Sequence, residues 1–453
     1  VANLPPTAGR SASAWTTLAP ILAVGLALRV VAAFVVQRYT ERIGKPCIFG
    51  DTAIYWELAR TILDGSPFVV DQSGIPHYAL RTPGYPLFLA ASRALFGPSF
   101  LAVRLIQAAL GTLGVAFLYH LVARVAPRPN HRIAIIAAAL AVVEPYGIGI
   151  GSLILSEGVF IPLMLASLWG FSSLWYGEGS PPTLTLPLKG GGNQTLSPNQ
   201  SPSPLEGEVR GGGSRTAIAI ATGLTTGAAI LVRPSWALIV PLLLLAWIIN
   251  ARRRSALKDA TIIALACAVI MMPWWVRNAR LFGRFVPTAL WVGASLYDGL
   301  SPTATGASEM NFLAEPGIVE LDESTQDIVL RRRSIDFVRA NPGRAAWLAI
   351  VKAGRYWSPW PNADTLQNPI AAALSAVITL PLFALIAVGI WDRRRDPRTL
   401  ILLAGPLLYF LLLHMVFVSS IRYRIPGILP ALGLAAIGLD RIRSMFTSHT
   451  AMA

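Results

Sequence analysis

Asp51 opens the segment Asp51-Thr-Ala-Ile-Tyr-Trp-Glu-Leu-Ala-Arg-Thr-Ile-Leu-Asp-Gly65, in which Ile54, Leu58 and Ile62 recur at helical spacing. Two roles are open to a carboxylate there. It can cap the helix, because Asp is among the best N-cap residues, or it can keep an oxygen free to take a proton from an acceptor. Thirty residues on, in His77-Tyr-Ala-Leu-Arg-Thr-Pro-Gly-Tyr-Pro86, Arg81 precedes a turn made rigid by Pro83 and Pro86 around Gly84-Tyr85. Its guanidinium is either a solvated surface charge or a planar, permanently charged ligand for phosphate. Glu144 and Glu157 are acids beside apolar runs, where ionisable groups are costly and often functional. Each is also open to a plain ion pair with a buried arginine, Arg29 or Arg233.

The elements that must hold these groups follow from composition. Of 453 residues, 54% are hydrophobic and only 13% are charged, against about 25% charged in an ordinary soluble domain. A soluble globular enzyme, a disordered chain and a coiled coil are excluded. An all-α polytopic membrane protein remains. Ten apolar stretches approach the roughly 20 residues that a membrane helix needs: 15–37, 99–122, 132–149, 155–176, 215–232, 235–251, 259–276, 368–391, 399–418 and 425–441. The third and eighth carry internal breakers at Pro145/Gly147 and Pro381. The net charge of +15 sits largely between apolar runs, so it points to membrane topology and anionic headgroups, not to nucleic acid. Arg124, Arg128 and Arg132, then Arg252–Arg254 and Lys258, then Arg393–Arg395 and Arg398, then Arg441 and Arg443 all fall on one side, with both termini. The positive-inside rule makes that side cytoplasmic. Segments 38–98 and 277–367 then face outward.

Three parts follow: 1–276, a seven-helix catalytic transmembrane module; 277–367, an outer, periplasmic helical segment; and 368–453, an added set of C-terminal transmembrane helices. Helix 51–65 is expected in the membrane interface. In the outer segment, Leu321 to Ala340 reads as a helix with Ile328, Ile335 and Val338 on one face, ended by Asn341-Pro342, and Ala345 to Trp357 as a second. Residues 177–214, rich in Gly, Pro and Ser, read as a disordered cytoplasmic insertion that includes SPSPLEGEVRGGG, similar to translated palindromic repeats. Cys47 and Cys267 make neither a disulfide nor a metal framework. The first apolar run lacks a cleavage site and reads as retained.

Several motifs in order resemble the GT-C glycosyltransferases, in particular bacterial relatives of the protein O-mannosyltransferases and the aminoarabinose (lipid A) transferase. These are Asp51-x-x-x-Tyr55-x-x-x-Ala59, Arg81-Thr-Pro-Gly-Tyr85-Pro86, Leu155-Ser-Glu157, Leu231-Val-Arg-Pro234, Pro273-Trp-Trp-Val-Arg277-Asn278, Phe282-Gly-Arg-Phe-Val286, Gly293 through Leu296-Tyr297, Phe337 to Pro342, and Arg422-Tyr-Arg424-x-Pro426. The resemblance implies a polyprenyl-phosphate-sugar donor, inversion at the anomeric carbon, and an active site on the periplasmic face of the bacterial inner membrane. It implies Asp51 as the leading catalytic carboxylate, a phosphate contact at Arg81 and a second outer acid at Glu157, expected as a catalytic partner that positions the acceptor or shares charge. His77, Tyr55, Tyr85 and Tyr297 join Arg81, Arg277, Arg422 and Arg424 as expected substrate-binding residues. Acceptors in such families are proteins, glycans or lipids.

The chemistry fits the residue types independently. Inverting transfer needs one base and a stabilised leaving group, through an oxocarbenium-like transition state. Asp51 supplies the carboxylate, and Arg81, Arg277, Arg422 and Arg424 supply outward cations that stabilise a departing phosphate. No cofactor is required, and a divalent metal stays open. A lipid transporter or flippase, or a non-catalytic lipid-binding protein, is the alternative.

Overall fold

The computed structural model describes residues 9–72, 74–126, 131–177, 204–251, 255–362 and 368–450. Among these residues, seventeen α-helices and one small hairpin follow in chain order. They are α1 (Gly9–Arg42), α2 (Gly50–Leu63), β1 (Val70–Gln72), β2 (Ile75–His77), α3 (Gly84–Phe96), α4 (Phe100–Val125), α5 (His131–Val143), α6 (Pro145–Ser152), α7 (Glu157–Tyr176), α8 (Pro204–Val232), α9 (Ile239–Ala251), α10 (Ser255–Phe282), α11 (Val292–Gly299), α12 (Glu323–Ala340), α13 (Pro342–Tyr356), α14 (Pro369–Arg393), α15 (Pro397–Leu403), α16 (Gly405–Val416) and α17 (Ile421–Thr450).

Among the described residues, α1, α4, α7, α8, α10, α14 and α17 contain stretches long and apolar enough to cross a membrane. Two further pairs are bent by 53° (α5–α6) and 55° (α15–α16), and a shorter apolar helix covers Pro234–Asn250. These match the ten expected stretches. The first bend falls at the expected breaker. Pro145 lacks an N–H, and the Glu144 carboxylate caps α6 by accepting from the backbone N–H groups of Tyr146 and Gly147. The second bend, at Ala404, was not anticipated, although Gly405-Pro406 carries the signal for it. Pro381 lies within an unbroken α14.

The C-terminal ends of several spans converge. Arg398 donates to the carbonyl of Asn250 (3.0 Å), Thr399 to that of Val125 (3.1 Å), and Arg441 approaches Asp392 (3.8 Å). The basic clusters therefore gather at one end of the bundle; Arg128 and Arg252–Arg254 lie outside the described residues. The expected insertion 177–214 lies outside them over 178–203, and from Pro204 the chain is already helical in α8.

α17 packs on α5, α6 and α14, and a run from Ile425 to Ile437 that includes Leu432, Leu434 and Ala435 is buried. Its N-terminus lies at the end opposite the basic clusters. Segment 38–98 is built as α2, the hairpin and α3. Gly65 caps α2 in the left-handed region (φ 65°), as expected. Pro83 and Pro86 do not make an isolated turn: Pro83 is the N-cap of α3, a helix the sequence reading missed. A Cβ at Gly84 would lie 2.5 Å from the backbone of Leu231, so α3 meets the end of α8 through a glycine.

α12 begins at Glu323, with Asp322 as its N-cap, and α13 begins at Pro342. The face of α12 expected to be apolar is outward: Ile328 and Ile335 are exposed, and Leu330, Ser334 and Phe337 are buried instead.

Candidate functional site

Four helix ends and one loop meet at the end of the bundle away from the basic clusters. α2 brings Asp51, α7 opens with Glu157, α8 runs out into Arg233, α17 starts with Arg422, and the loop before α3 carries Arg81. Their charges form a continuous chain. Arg81 Nη2 donates to Asp51 Oδ1 (2.8 Å). Arg422 donates through Nη1 and Nη2 to Asp51 Oδ2 (3.3 Å each) and through Nε to Glu157 Oε1 (2.5 Å). Arg233 Nη1 closes on Glu157 Oε1 (2.9 Å) and on Ser156 Oγ (3.3 Å).

Asp51 is not a cap. The N-cap of α2 is Phe49, without a side-chain cap bond, and both Asp51 oxygens are turned to guanidinium groups. Burial acts to raise the Asp51 pKa, but Arg81 and Arg422 override it and hold the carboxyl at about 2. Arg81 is held above its ordinary value: its burial opposes the charge, and Asp51 more than restores it. Arg81 also lies over the Trp291 ring, 5.1 Å from its centroid.

The scaffold under this chain is polar at few points. Tyr55, one turn along α2 from Asp51, meets Tyr85 edge to face (4.9 Å between centroids). Burial raises the pKa of both, so they stay neutral phenols. Tyr85 donates to Gln107 Oε1 (2.7 Å), and Gln107 donates to the carbonyls of Gly151 (3.0 Å) and Leu153 (2.7 Å). Thr52 donates to the carbonyl of Ile154 (2.9 Å). α2 and α4 thus both fix the loop that delivers Glu157. From segment 277–367, Glu323 accepts from the N–H groups of Tyr78 (2.7 Å) and Ala79 (2.8 Å), which sets the approach to Arg81.

The other expected residues are placed elsewhere. Arg277 donates to the carbonyl of Phe68 (2.9 Å) and to Asn278 (2.8 Å), between the rings of Phe68 and Trp274. Arg424 is buried and donates to the carbonyls of Tyr356 (2.8 Å) and Ser358 (2.7 Å), so its guanidinium is a structural tie. His77 is buried, with Nδ1 against the carbonyl of Ile75 (2.9 Å). Tyr297 packs on Phe312 in the outer segment. Arg29 donates to the carbonyls of Gly25 and Ala141 (3.1 Å each) and makes no ion pair with Glu144, whereas Arg233 does pair with Glu157. Gln107 and Trp291 were not anticipated. The signal for Gln107 was a lone amide inside an apolar span.

Residues 80–180 match the model of the dolichyl-phosphate-mannose-protein mannosyltransferase family. That segment holds Arg81, Tyr85 and Glu157, but not Asp51 or Arg422. No curated protein sequence matches the chain. Its structure is similar to that of the archaeal oligosaccharyltransferase AglB from Archaeoglobus fulgidus in complex with an inhibitory peptide and a dolichol-phosphate. The TM-score is 0.55 at 12% identity, over 98% of this chain and 52% of that one. This chain has the GT-C fold. The apo form of the Archaeoglobus fulgidus oligosaccharyltransferase is similar too, with a TM-score of 0.56 at 13% identity, over 97% of this chain and 51% of that one. The GT-C chain described here therefore spans about half the length of those enzymes. Undecaprenyl-phosphate-bound ArnT from Cupriavidus metallidurans gives a TM-score of 0.44 at 14% identity, over 94% of this chain and 78% of that one.

Proposed function

We propose that this protein is an integral membrane glycosyltransferase that moves a sugar from a polyprenyl monophosphate to an acceptor at the periplasmic face, with inversion. The observation that carries this reading is the linked chain Arg81–Asp51–Arg422–Glu157–Arg233 at one end of a GT-C bundle. Its three guanidinium groups face two carboxylates, which leaves one positive charge for the phosphodiester of a sugar-charged lipid.

The side-chain exposures divide the labour. Asp51 keeps 30% of its side-chain surface, whereas Glu157 keeps 0%. Asp51 is the base: the acceptor oxygen attacks the anomeric carbon, its proton passes to Asp51, and the carbon–oxygen bond to phosphate breaks with its electron pair going to the phosphate. Charge grows on the leaving group as this happens, and Arg81 and Arg422 meet it. Donor binding also prepares the base. As the two guanidinium groups turn toward phosphate, Asp51 loses the partners that hold it near pKa 2 and becomes more basic. Glu157 acts through Arg422 and Arg233, not on the acceptor. The fixed cations supply the charge stabilisation, so the reading calls for no cofactor. The basic end and both termini face the cytoplasm of a bacterial cell, and the acceptor is a glycan, lipid or protein.

The test is to incubate purified protein with a sugar-charged polyprenyl phosphate and acceptor-containing membrane extract. Release of polyprenyl phosphate, strongly reduced in Asp51→Asn, is expected. A protein that moves the lipid between leaflets without cleaving it would be a flippase, and one that only binds it would be a lipid-binding protein.

A further inference from the structure

Among the described residues, Arg422 is the one cation that touches both carboxylates, and it follows directly on the link between α16 and α17. That link is gripped from the outer segment. Lys352 on α13 is fully buried, and its Nζ donates to the carbonyls of Gly299 (3.0 Å) and Val416 (2.7 Å). Both carbonyls belong to the last residue of a helix, α11 and α16, where backbone acceptors lack intrahelical partners and the dipole favours a cation. A single ammonium thus closes two helix ends at once.

Neighbouring contacts extend the grip. Arg355 Nε donates to the carbonyl of Ser419 (3.1 Å), and the Ser419 N–H donates to the carbonyl of Gly306 (3.1 Å). His414 Nδ1 lies 2.7 Å from the carbonyl of Val418, and the Ile421 N–H donates to Asn362 Oδ1 (3.1 Å). One turn further along α13, Tyr356 donates to the carbonyl of Leu407 (2.9 Å). The backbone from Val416 to Ile421 is therefore held at nearly every residue, and the next side chain is Arg422.

We propose that Lys352 is a positioning residue that fixes the Val416–Ile421 link, and so sets Arg422 between Asp51 and Glu157. A buried ammonium is an expensive way to fill space, because its solvation is lost. An apolar side chain would serve α13 packing as well. What an apolar side chain cannot do is draw two helix ends onto one point. The inference rests on Arg422 as the phosphate ligand of the proposed reaction, but its first readout is independent of that reaction.

The experiment is hydrogen exchange followed by mass spectrometry on the full chain in detergent, wild type against Lys352→Met. Amides 417–422 should exchange on the order of tenfold faster in the variant, while α10 and α12 keep wild-type rates. Arg355→Gln should move the same amides in the same direction by less, and it supplies the readout if Lys352→Met does not fold. Binding of undecaprenyl phosphate is then measured in a double-mutant cycle with Arg422→Ala. Lys352→Met should weaken binding in the wild-type background and add little once Arg422 is gone. Unchanged exchange at 417–422, or an equal loss of binding with and without Arg422, overturns the proposal. A wild type that does not bind undecaprenyl phosphate sinks the donor reading alone, and the exchange result then decides the positioning role.

Discussion

Asp51 and Glu157 share Arg422, and each has a second arginine of its own, yet their surroundings are opposite. Asp51 sits on the short helix α2 with 30% of its side chain open. Glu157 starts a spanning helix, has no exposed side-chain surface, and is paired with Arg233 and Arg422. The same ion-pair chemistry therefore has two uses. A sealed carboxylate between two guanidinium groups is a fixed anchor, because separating it would leave buried charge unpaired. An open one can exchange its partners for an incoming anion and then accept a proton. In the proposed reaction, burial, not residue type, separates the base from the brace.

The comparison can be broken at either end. The largest effect is expected from Asp51→Asn, which should lower transfer by about 10²–10⁴-fold in a steady-state assay. Folding and donor binding should persist, because Asp51 caps nothing. Next is Glu157→Gln. Leaving Arg233 and Arg422 without their buried carboxylate should cost about 3–5 kcal/mol of stability, seen as a lower unfolding temperature by fluorescence in detergent. If the two variants exchanged phenotypes, the assignment of base and brace would be reversed.

A smaller effect separates two of the arginines expected to bind substrate. Arg81→Gln should weaken undecaprenyl phosphate binding about tenfold, the loss expected for one charge-assisted contact. Arg424→Gln should leave that binding unchanged and lower stability, since its partners are the carbonyls of Tyr356 and Ser358. Calorimetry of both variants distinguishes them. The smallest effect is acid sensitivity. The folded pKa of Asp51, about 2, is below its ordinary 3.8, so its pairing contributes fully above about pH 4 and is lost as pH falls through 2. With the side chain 30% exposed, the contribution is on the order of 1 kcal/mol. Unfolding temperature should fall between pH 4 and 2 in wild type, and less steeply in Asp51→Asn.

Much of the scaffold was legible because a membrane span announces itself by length and apolarity, and ten apolar stretches were found where the helices are. The acids and cations were legible too, since charge beside an apolar run is costly. Their connections were not. Asp51 and Arg422 are 371 residues apart, and no local periodicity says that a guanidinium from the last span reaches the first outer loop. The cap reading of Asp51 failed for the same reason: tertiary partners won its oxygens, and the helix starts one residue earlier. Arg424 and Arg422 look alike in sequence, but on one helix they point to different neighbours. The hairpin escaped because strands of three residues are too short to show alternation. Lys352 escaped because its partners are backbone carbonyls, which leave no mark in the sequence.

The central claim is that donor phosphate takes the guanidinium groups that Asp51 now holds. An electron cryomicroscopy structure of the wild-type protein with undecaprenyl phosphate tests it most directly. The account predicts phosphate density between Arg81 and Arg422, with both guanidinium groups drawn beyond hydrogen-bond distance of Asp51 and the Arg233–Glu157 pair unchanged. Phosphate bound elsewhere, with the Arg81–Asp51 contact still at 2.8 Å, would contradict it.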